Sequence, residues 1–304
     1  MLANFFGKSK PVNFILITLL FLGYCLWDVF SQLDNVDILE VLFVIPTFLV
    51  VFFLYNFIIS KNKLTKDNSY AFLLFVVGLG CLSISILDNK IIGIYLLLFL
   101  FLRRVYSLRT LNTIYGKLYD SGLWLGVLFL FSPYNLMYIL LLYGAIFLFL
   151  KITIRTVLIP LLGLVTPVFL YFTFLFWNDD LEVFYKLFEI DFIFDLSFLS
   201  SNFYGLFLGV FGFFTLISIL VRSGSVFSVS NKFKRIWVLL LLHFVIAILY
   251  MFMVGVKNDT VLIGVLIPST FIITNWLQNL EKKWIVNGVL LLFLVLSFTI
   301  HFIV

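Results

Sequence analysis

Eleven apolar runs divide this 304-residue chain and leave little room for any other kind of structure. A helix needs roughly 20 apolar residues to cross the hydrocarbon core of a membrane, and its backbone polar groups must be satisfied within the helix. Hydrophobic residues make up 63% of the chain and charged residues 12%. We therefore expect an all-α, polytopic transmembrane helix bundle of about eleven spans, within a range of ten to twelve, in which residues 1–304 form a single integral membrane domain without a soluble domain. The runs lie at approximately 12–27, 39–60, 69–87, 91–102, 121–132, 134–150, 156–177, 203–221, 236–256, 260–278 and 284–304.

The charged residues are sorted between the segments that connect these runs. If every run crosses the membrane, 17 of the 20 Lys and Arg fall on one side and 12 of the 15 acidic residues on the other. Because positive loops stay inside, the N-terminus is predicted to be cytoplasmic and the C-terminus periplasmic, in a bacterial inner membrane. The predicted inner cations are Lys8, Lys10, Lys61, Lys63, Lys66, Arg103, Arg104, Arg109, Lys117, Lys151, Arg155, Arg222, Lys232, Lys234, Arg235, Lys282 and Lys283.

The basic segment 103–120 joins two unusually short runs, 91–102 and 121–132. Twelve helical residues cover about 18 Å, which is less than the hydrocarbon core. Either the two helices extend into polar residues whose Arg side chains snorkel, or the segment dips into the membrane. A re-entrant backbone is tolerated where protein or a water-filled cavity surrounds it.

This segment also carries the candidate ligand-binding residues. Cations with neighbouring polar groups could line a cytoplasmic-side pocket for a phosphate-bearing headgroup. The alternative is that the charges serve insertion alone, together with interfacial tyrosines. Replacing Arg by Lys separates the two interpretations, since both residues count alike for insertion but Arg alone offers a planar fork. The candidates are Arg103, Arg104, Arg109, Asn112, Lys117 and Asp120.

Acidic residues crowd two of the predicted outer segments, and Asp28 and Asp34 are weak candidates for a catalytic general base. Such acids could also bind a divalent cation, or could simply be tolerated outside. No metal site is predicted, because His243 and His301 lie far apart and both cysteines lie elsewhere. The HExxH, GxSxG and P-loop patterns are missing from the sequence, and we expect no cofactor.

Three functions stay open at this point. Because the interiors of the apolar runs contain no Asp, Glu, Lys or Arg, a non-catalytic subunit or accessory factor of a cell-envelope assembly or secretion complex is favoured. The alternatives are a membrane enzyme of lipid-linked glycan or lipid assembly, and a carrier of a small or lipidic solute. The expected partners are the lipid bilayer, other membrane or envelope proteins and a phosphate-bearing lipid. Nucleic acid is excluded, since the cations form no stripe interleaved with exposed aromatic residues.

The run Tyr119-Asp120-Ser121-Gly122-Leu123-Trp124-Leu125-Gly126, followed by Pro133, Gly163 and Pro167, resembles an uncharacterised family of polytopic inner-membrane proteins from Bacteroidota. That resemblance implies a membrane bundle and no particular activity.

More loosely, the acidic first outer loop is similar to the membrane glycosyltransferases of the GT-C type, which use polyprenyl-phosphate sugars. This similarity would place a catalytic Asp at Asp28 or Asp34. The chain departs from that pattern because its first outer loop is short and its predicted outer side carries no Arg. A phosphate leaving group requires clustered cations nearby.

Overall fold

The computed structural model describes residues 1–31, 38–82, 89–189, 202–226, 230–254 and 260–303. The fold is all-helical, with 85% helix and no strand in these ranges, which confirms the predicted class. The helices are α1 (Leu2–Phe5), α2 (Pro11–Ser31), α3 (Ile38–Asn62), α4 (Tyr70–Gly80), α5 (Asn89–Ser107), α6 (Ile114–Phe131), a 3-10 helix (Pro133–Tyr138), α7 (Ile139–Phe149), α8 (Ile154–Trp177), α9 (Leu181–Lys186), α10 (Asn202–Val226), α11 (Asn231–Val254), α12 (Thr260–Leu277) and α13 (Lys283–Ile303).

Each of the eleven apolar runs overlaps a helix in the described part of the chain. Within the described ranges, four helical stretches are long and apolar enough to cross a membrane, namely Val44–Asn62, Ile154–Trp177, Gly205–Val226 and Asn231–Val254. Five further apolar stretches are shorter within those ranges, namely Pro11–Trp27, Tyr70–Gly80, Pro133–Phe149, Val261–Leu277 and Lys283–Thr299. The eleven-span topology and the orientation of the termini therefore stay predictions.

Helices α5 and α6 show how the chain lengthens its two short apolar runs. Helix α5 has 19 residues and continues past the run through Arg103 and Arg104. Helix α6 has 18 residues and begins at Ile114, well before its run. At about 1.5 Å per residue these helices reach roughly 27 to 28 Å. This geometry supports helices that extend into polar residues rather than a re-entrant segment.

The centre of the bundle is formed by α4 and α12. Every residue of α4 is buried, and α12 is buried without interruption over residues 261–275. A helix that is apolar all round belongs in such an interior position. Helices α2 and α13 pack on α4, helices α10 and α11 pack on α12, and α4 and α12 contact each other.

Helices α6 and α8 form the most closely packed pair, at the edge of the bundle. A Cβ atom added at Gly122 would overlap the carbonyl oxygen of Pro160, and one at Gly163 would overlap that of Tyr119. The two backbones therefore touch without intervening side chains, as small residues spaced by four allow. Beyond this contact α8 is peripheral, with 11% of its apolar stretch buried.

Candidate anion-binding site

The segments predicted to lie on the inner side meet at one end of the bundle. Lys283 Nζ donates a hydrogen bond to Asn4 Oδ1 at 2.9 Å, which joins α13 to the N-terminus. Lys66 Nζ donates to Asn279 Oδ1 at 2.8 Å, which joins the α3–α4 turn to the end of α12. We call this region the basic end. The alternation of runs requires these segments to lie together, while the side of the membrane they occupy stays a prediction.

At the basic end, two of the predicted ligand-binding cations are already occupied by other parts of the chain. Arg104 forms an ion pair with Asp120 at 2.7 Å, which ties α5 to α6. Arg103 lies over the ring of Phe57 in α3, with its guanidinium carbon 5.5 Å from the ring centroid. Both side chains hold helices together. They remain half-exposed, but their charge is partly satisfied within the protein.

Lys117 closes the C-terminal end of α5. Its side chain is 8% exposed, and Nζ donates to the carbonyl oxygens of Ser107 and Thr110 at 2.9 and 2.7 Å and to Thr110 Oγ1 at 2.7 Å. Helix ends leave carbonyl groups without partners, and a cation near the C-terminus satisfies them. Burial lowers the pKa of the Lys117 ammonium, and the nearby charges of Arg104 and Lys61 lower it further. Lys117 therefore acts as a buried cap and not as a ligand-binding group.

Arg109 is the predicted cation that reaches a cavity. It lies in the α5–α6 turn and donates a short hydrogen bond from Nη1 to the carbonyl oxygen of Asn62, the last residue of α3. From there it lines two adjoining cavities of about 420 and 340 Å³. We call the two together the basic cleft. Asn112, from the same turn, is exposed to solvent and lines neither cavity.

The basic cleft gathers cations from four separate parts of the sequence. The larger cavity carries five cations, and the smaller one repeats three of these and adds Lys66 and Arg222. Among the described residues that line either cavity, none is acidic. The lining cations are Lys61, Lys63, Lys66, Arg109, Arg222, Lys232 and Arg235.

Two of these cations have features that bear on ligand binding. The guanidinium carbon of Arg222 lies 5.2 Å from the centroid of the Phe233 ring, so part of this side chain is held by the protein. The Nε atom of Arg222 is buried and has no hydrogen-bond partner, although its Nη1 donates to Ser225 Oγ at 2.8 Å. A buried guanidinium N–H without an acceptor is costly, and an anion in the cleft would provide one. Lys63 has a left-handed backbone with φ of 49°, a conformation that glycine adopts more easily.

The electrostatic result is a concentration of positive charge that no carboxylate among the described lining residues neutralises. Like charges held together destabilise the folded state, and low-dielectric walls strengthen their field. An anion with several oxygens would relieve this repulsion and accept hydrogen bonds from both ammonium and guanidinium groups. The arrangement is therefore suited to a phosphate group.

Of the two acidic candidates predicted from the sequence, neither side chain lies in the described part of the structure. Asp28 belongs to α2, but its side chain lies outside the described part of the structure, and Asp34 lies outside the described residues altogether. Among the described residues, no group of three or more His, Cys, Asp or Glu could hold a metal ion.

Two polar side chains in the interior of the bundle, those of His243 and Asn275, are fully buried. His243 Nδ1 and the Tyr106 hydroxyl form a hydrogen bond of 2.8 Å, while His243 Nε2 and the Tyr138 hydroxyl have no partner. Asn275 is fully satisfied on its amide nitrogen, which donates to the carbonyl oxygens of Leu64 and Phe271, both at 2.9 Å. These contacts join α12 to the α3–α4 turn and α5 to α11, so they hold the helices together.

Comparison with protein-family models, curated proteins and solved structures gave no match. The function of the chain is therefore argued from the geometry of the basic cleft.

Sequence reasoning identified Arg109 as a candidate but did not identify its partners in the cleft. Lys63, Arg222 and Lys232 were recognised as predicted inner cations, and their convergence depends on how the helices pack. A signal was present, since every one of them lies within four residues of an apolar run. That signal is shared by cations whose role is insertion alone.

Proposed function

We propose that the chain is an integral membrane protein that binds a phosphate-bearing anion at its basic end, as a non-catalytic component of a cell-envelope assembly. The observation that carries this proposal is the basic cleft, in which seven cations and no described acidic residue surround adjoining cavities. The larger cavity, at about 420 Å³, is within the usual range of ligand-binding sites.

The lining of the cleft supports binding rather than catalysis. A general base is most often a His, Asp or Glu side chain, and a Ser or Thr nucleophile needs such a base beside it, whereas Cys is reactive as a thiolate. The described residues that line the cleft include no His, Asp, Glu or Cys. Lysine and arginine together can hold a phosphate and fix its orientation, and they leave its bonds unchanged when no base or metal assists.

The role as a subunit is supported by the surface of α8. This helix contacts the bundle through a narrow stripe around Gly163, and its remaining surface is apolar and exposed, including Leu162 at 62% and Phe169 at 62%. A bilayer covers such a surface, and so does the helix of a neighbouring membrane protein. A photo-reactive amino acid at position 169 should yield one discrete crosslinked partner in cells. Crosslinking to lipid alone would contradict the subunit role and leave anion binding untouched.

Anion binding is tested by ligand-dependent stabilisation of the purified protein in detergent. Inorganic pyrophosphate, at about 100 times its dissociation constant, should raise the stability by about 2.7 kcal/mol. Sodium chloride of equal ionic strength is the control, because screening also relieves repulsion. An equal rise in the unfolding temperature with both salts would contradict a specific site.

Two variants on the same helix turn provide the matched comparison. The double variant Lys232→Gln with Arg235→Gln removes two cations that line the cleft and should abolish the extra stabilisation by pyrophosphate. Lys234→Gln removes a cation that does not line it and should leave the effect unchanged. Identical loss in both variants would show that net charge, and not the cleft, attracts the anion.

The same variants distinguish a lipid headgroup from a soluble phosphate. Vesicles containing phosphatidic acid present the phosphate at a membrane surface, whereas pyrophosphate presents it in solution. If the cleft binds a headgroup, phosphatidic acid should compete with pyrophosphate, and the double variant should reduce both. If pyrophosphate binds and phosphatidic acid does not compete, the ligand is a soluble molecule.

A further inference from the structure

A second cavity lies beside the basic cleft, between the start of α2 and the end of α3. Its volume is about 600 Å³, which makes it larger than either part of the cleft. We call it the α2–α3 groove. It has its own lining from α2 and α4, while Lys63, Thr65 and Lys66 of the α3–α4 turn also face the cleft.

The floor of this groove is apolar and closes after a short distance. Phe14 of α2 and Phe72 of α4 stack with their centroids 5.1 Å apart, and both line the cavity. Deeper along the helices, Phe21 contacts Phe48 and Phe52 at 4.7 and 4.9 Å and closes the space between α2 and α3. Seven residues separate Phe14 from Phe21, a helical rise of roughly 10 Å. This depth accommodates a headgroup with its glycerol, and acyl chains would extend outside.

The surface around the groove is suited to such chains. Ile15 of α2 is 56% exposed and Phe53 of α3 is 63% exposed, and both lie on helices that border the cavity. Exposed apolar surface next to a polar pocket allows an amphipathic molecule to satisfy both parts at once.

The polar rim differs from the basic cleft in one respect, because it contains an acidic residue. Lys10, Lys63 and Lys66 provide donors for a phosphate. Asp67 is exposed, lines the groove and forms no ion pair with any described residue. A carboxylate opposite ammonium groups can accept hydrogen bonds from a ligand amine while the lysines hold the phosphate.

The half-buried amide of Asn56 adds a donor and an acceptor below this rim. Its side chain forms no hydrogen bond with the described part of the chain. Asn56 belongs to an apolar helix that is long enough to cross a membrane. A polar side chain at such a position, directed into a groove, is adapted to a polar ligand such as an ester or hydroxyl of glycerol.

We propose that the α2–α3 groove is a binding site for a glycerophospholipid with a primary-amine headgroup, with its phosphate on Lys10, Lys63 and Lys66 and its ammonium on Asp67. This site shares Lys63 and Lys66 with the basic cleft and differs from it through Lys10 and Asp67. The lining of the cleft contains no described acidic residue and therefore favours ligands with negative charge alone.

Native mass spectrometry of the full chain in detergent tests the proposal. Phosphatidylethanolamine and phosphatidylglycerol with identical acyl chains are titrated separately onto the cleft variant Lys232→Gln with Arg235→Gln, in which the basic cleft is weakened for anionic lipids. This variant should bind the ethanolamine lipid about threefold or more tightly, and the added change Asp67→Asn should remove that preference. Equal binding of the two lipids to the cleft variant would overturn the headgroup assignment.

The position of the site is tested by two lysines that are close in sequence. Lys10 lines the groove and Lys8 does not, and both are exposed. Lys10→Gln should weaken binding of the ethanolamine lipid about fivefold, while Lys8→Gln should change it less than twofold. Equal effects of the two variants would overturn the location. The cleft variant Lys232→Gln with Arg235→Gln should leave lipid binding unchanged, so failure of either site is recognised separately.

Discussion

Lys63 occupies a backbone conformation in which a side chain is costly. It directly follows the last residue of α3 with φ of 49°, the left-handed position where glycine commonly ends a helix. Nevertheless its ammonium group lines both cavities of the basic cleft and the α2–α3 groove. Strain that persists where cavities meet is expected when the side chain serves binding rather than stability.

Lys63→Gly should therefore change stability and binding in opposite directions. Relief of the left-handed strain should raise the free energy of unfolding by about 1 kcal/mol. Loss of the ammonium should weaken pyrophosphate binding about fivefold, since charge-assisted contacts contribute about 1 kcal/mol or more. Chemical denaturation in detergent measures the first effect, and titration calorimetry measures the second.

The control for this variant is Thr113→Gly. Thr113 has the same φ of 49° but does not line the basic cleft. Its replacement should stabilise the protein by a similar amount and leave the affinity for pyrophosphate unchanged. If Lys63→Gly retained full affinity, the ammonium group would have no part in the site.

Lys117, unlike Lys63, is a cation that stabilises the fold and does not serve binding. Lys117→Met keeps the length of the side chain but leaves the carbonyl oxygens of Ser107 and Thr110 without their donor. Buried acceptors that lose a partner cost about 1 to 3 kcal/mol each, so the unfolding midpoint should fall clearly. The exposed Lys151 provides the comparison, because Lys151→Met should change the free energy of unfolding by less than about 0.5 kcal/mol. A similar small shift for both variants would contradict the capping role.

At the scale of elements, the contact between α6 and α8 depends on glycine at specific positions. Gly122→Val would drive its side chain into the backbone of α8 at Pro160 and Leu164. Overpacking of this kind costs about 1 to 3 kcal/mol, and here backbone rather than a flexible side chain has to move. We expect a clear loss of thermal stability, measured in detergent. Gly122, which belongs to the run 119–126 described from the sequence, therefore acts through helix packing.

Gly116 is the matched position on the same helix. A Cβ atom added there meets nothing within 4 Å. Gly116→Ala should be neutral or should stabilise the protein by up to about 1 kcal/mol, because alanine has the higher helix propensity. If Gly116→Ala destabilised the protein as much as Gly122→Val, helix packing would not explain the effect.

The positions of the helices could be predicted from hydrophobic length alone, because a run of apolar residues in this composition has few structures available to it. The ends of α5 and α6 could not. The last turn of α5 and the first turns of α6 are polar. Arg104 is compatible with helix because it pairs with Asp120, and Lys117 is compatible because it donates to the carbonyl oxygen of Ser107 at the end of α5. Such pairing is a property of two helices in contact, and the sequence of either helix does not contain it.

At the scale of the whole molecule, the charge pattern predicted that certain segments share a side but not which of their residues meet. Arg109 and Lys232 line the same cavity although more than a hundred residues separate them in the chain. Arg103 and Arg109 look equivalent in sequence, yet one lies over Phe57 and the other enters the cleft. The rotation of each helix about its axis and the identity of the helices beside it decide this difference, and both depend on side-chain packing.

The orientation of the molecule gives the last prediction. Asn112, between α5 and α6, and Glu182, on α9, are both exposed. Three predicted spans separate them, so they should lie on opposite sides of the membrane, with Asn112 inside because its segment is rich in Arg and Lys.

Single-cysteine variants Asn112→Cys and Glu182→Cys, made after replacement of the buried Cys25 and Cys81, are treated in spheroplasts with a membrane-impermeant maleimide. Only Glu182→Cys should react before lysis, and both should react after it. The reverse pattern would invert the orientation of the bundle and place the basic end outside. Labelling of both variants before lysis would show that an even number of spans separates them, and the eleven-span topology would be wrong.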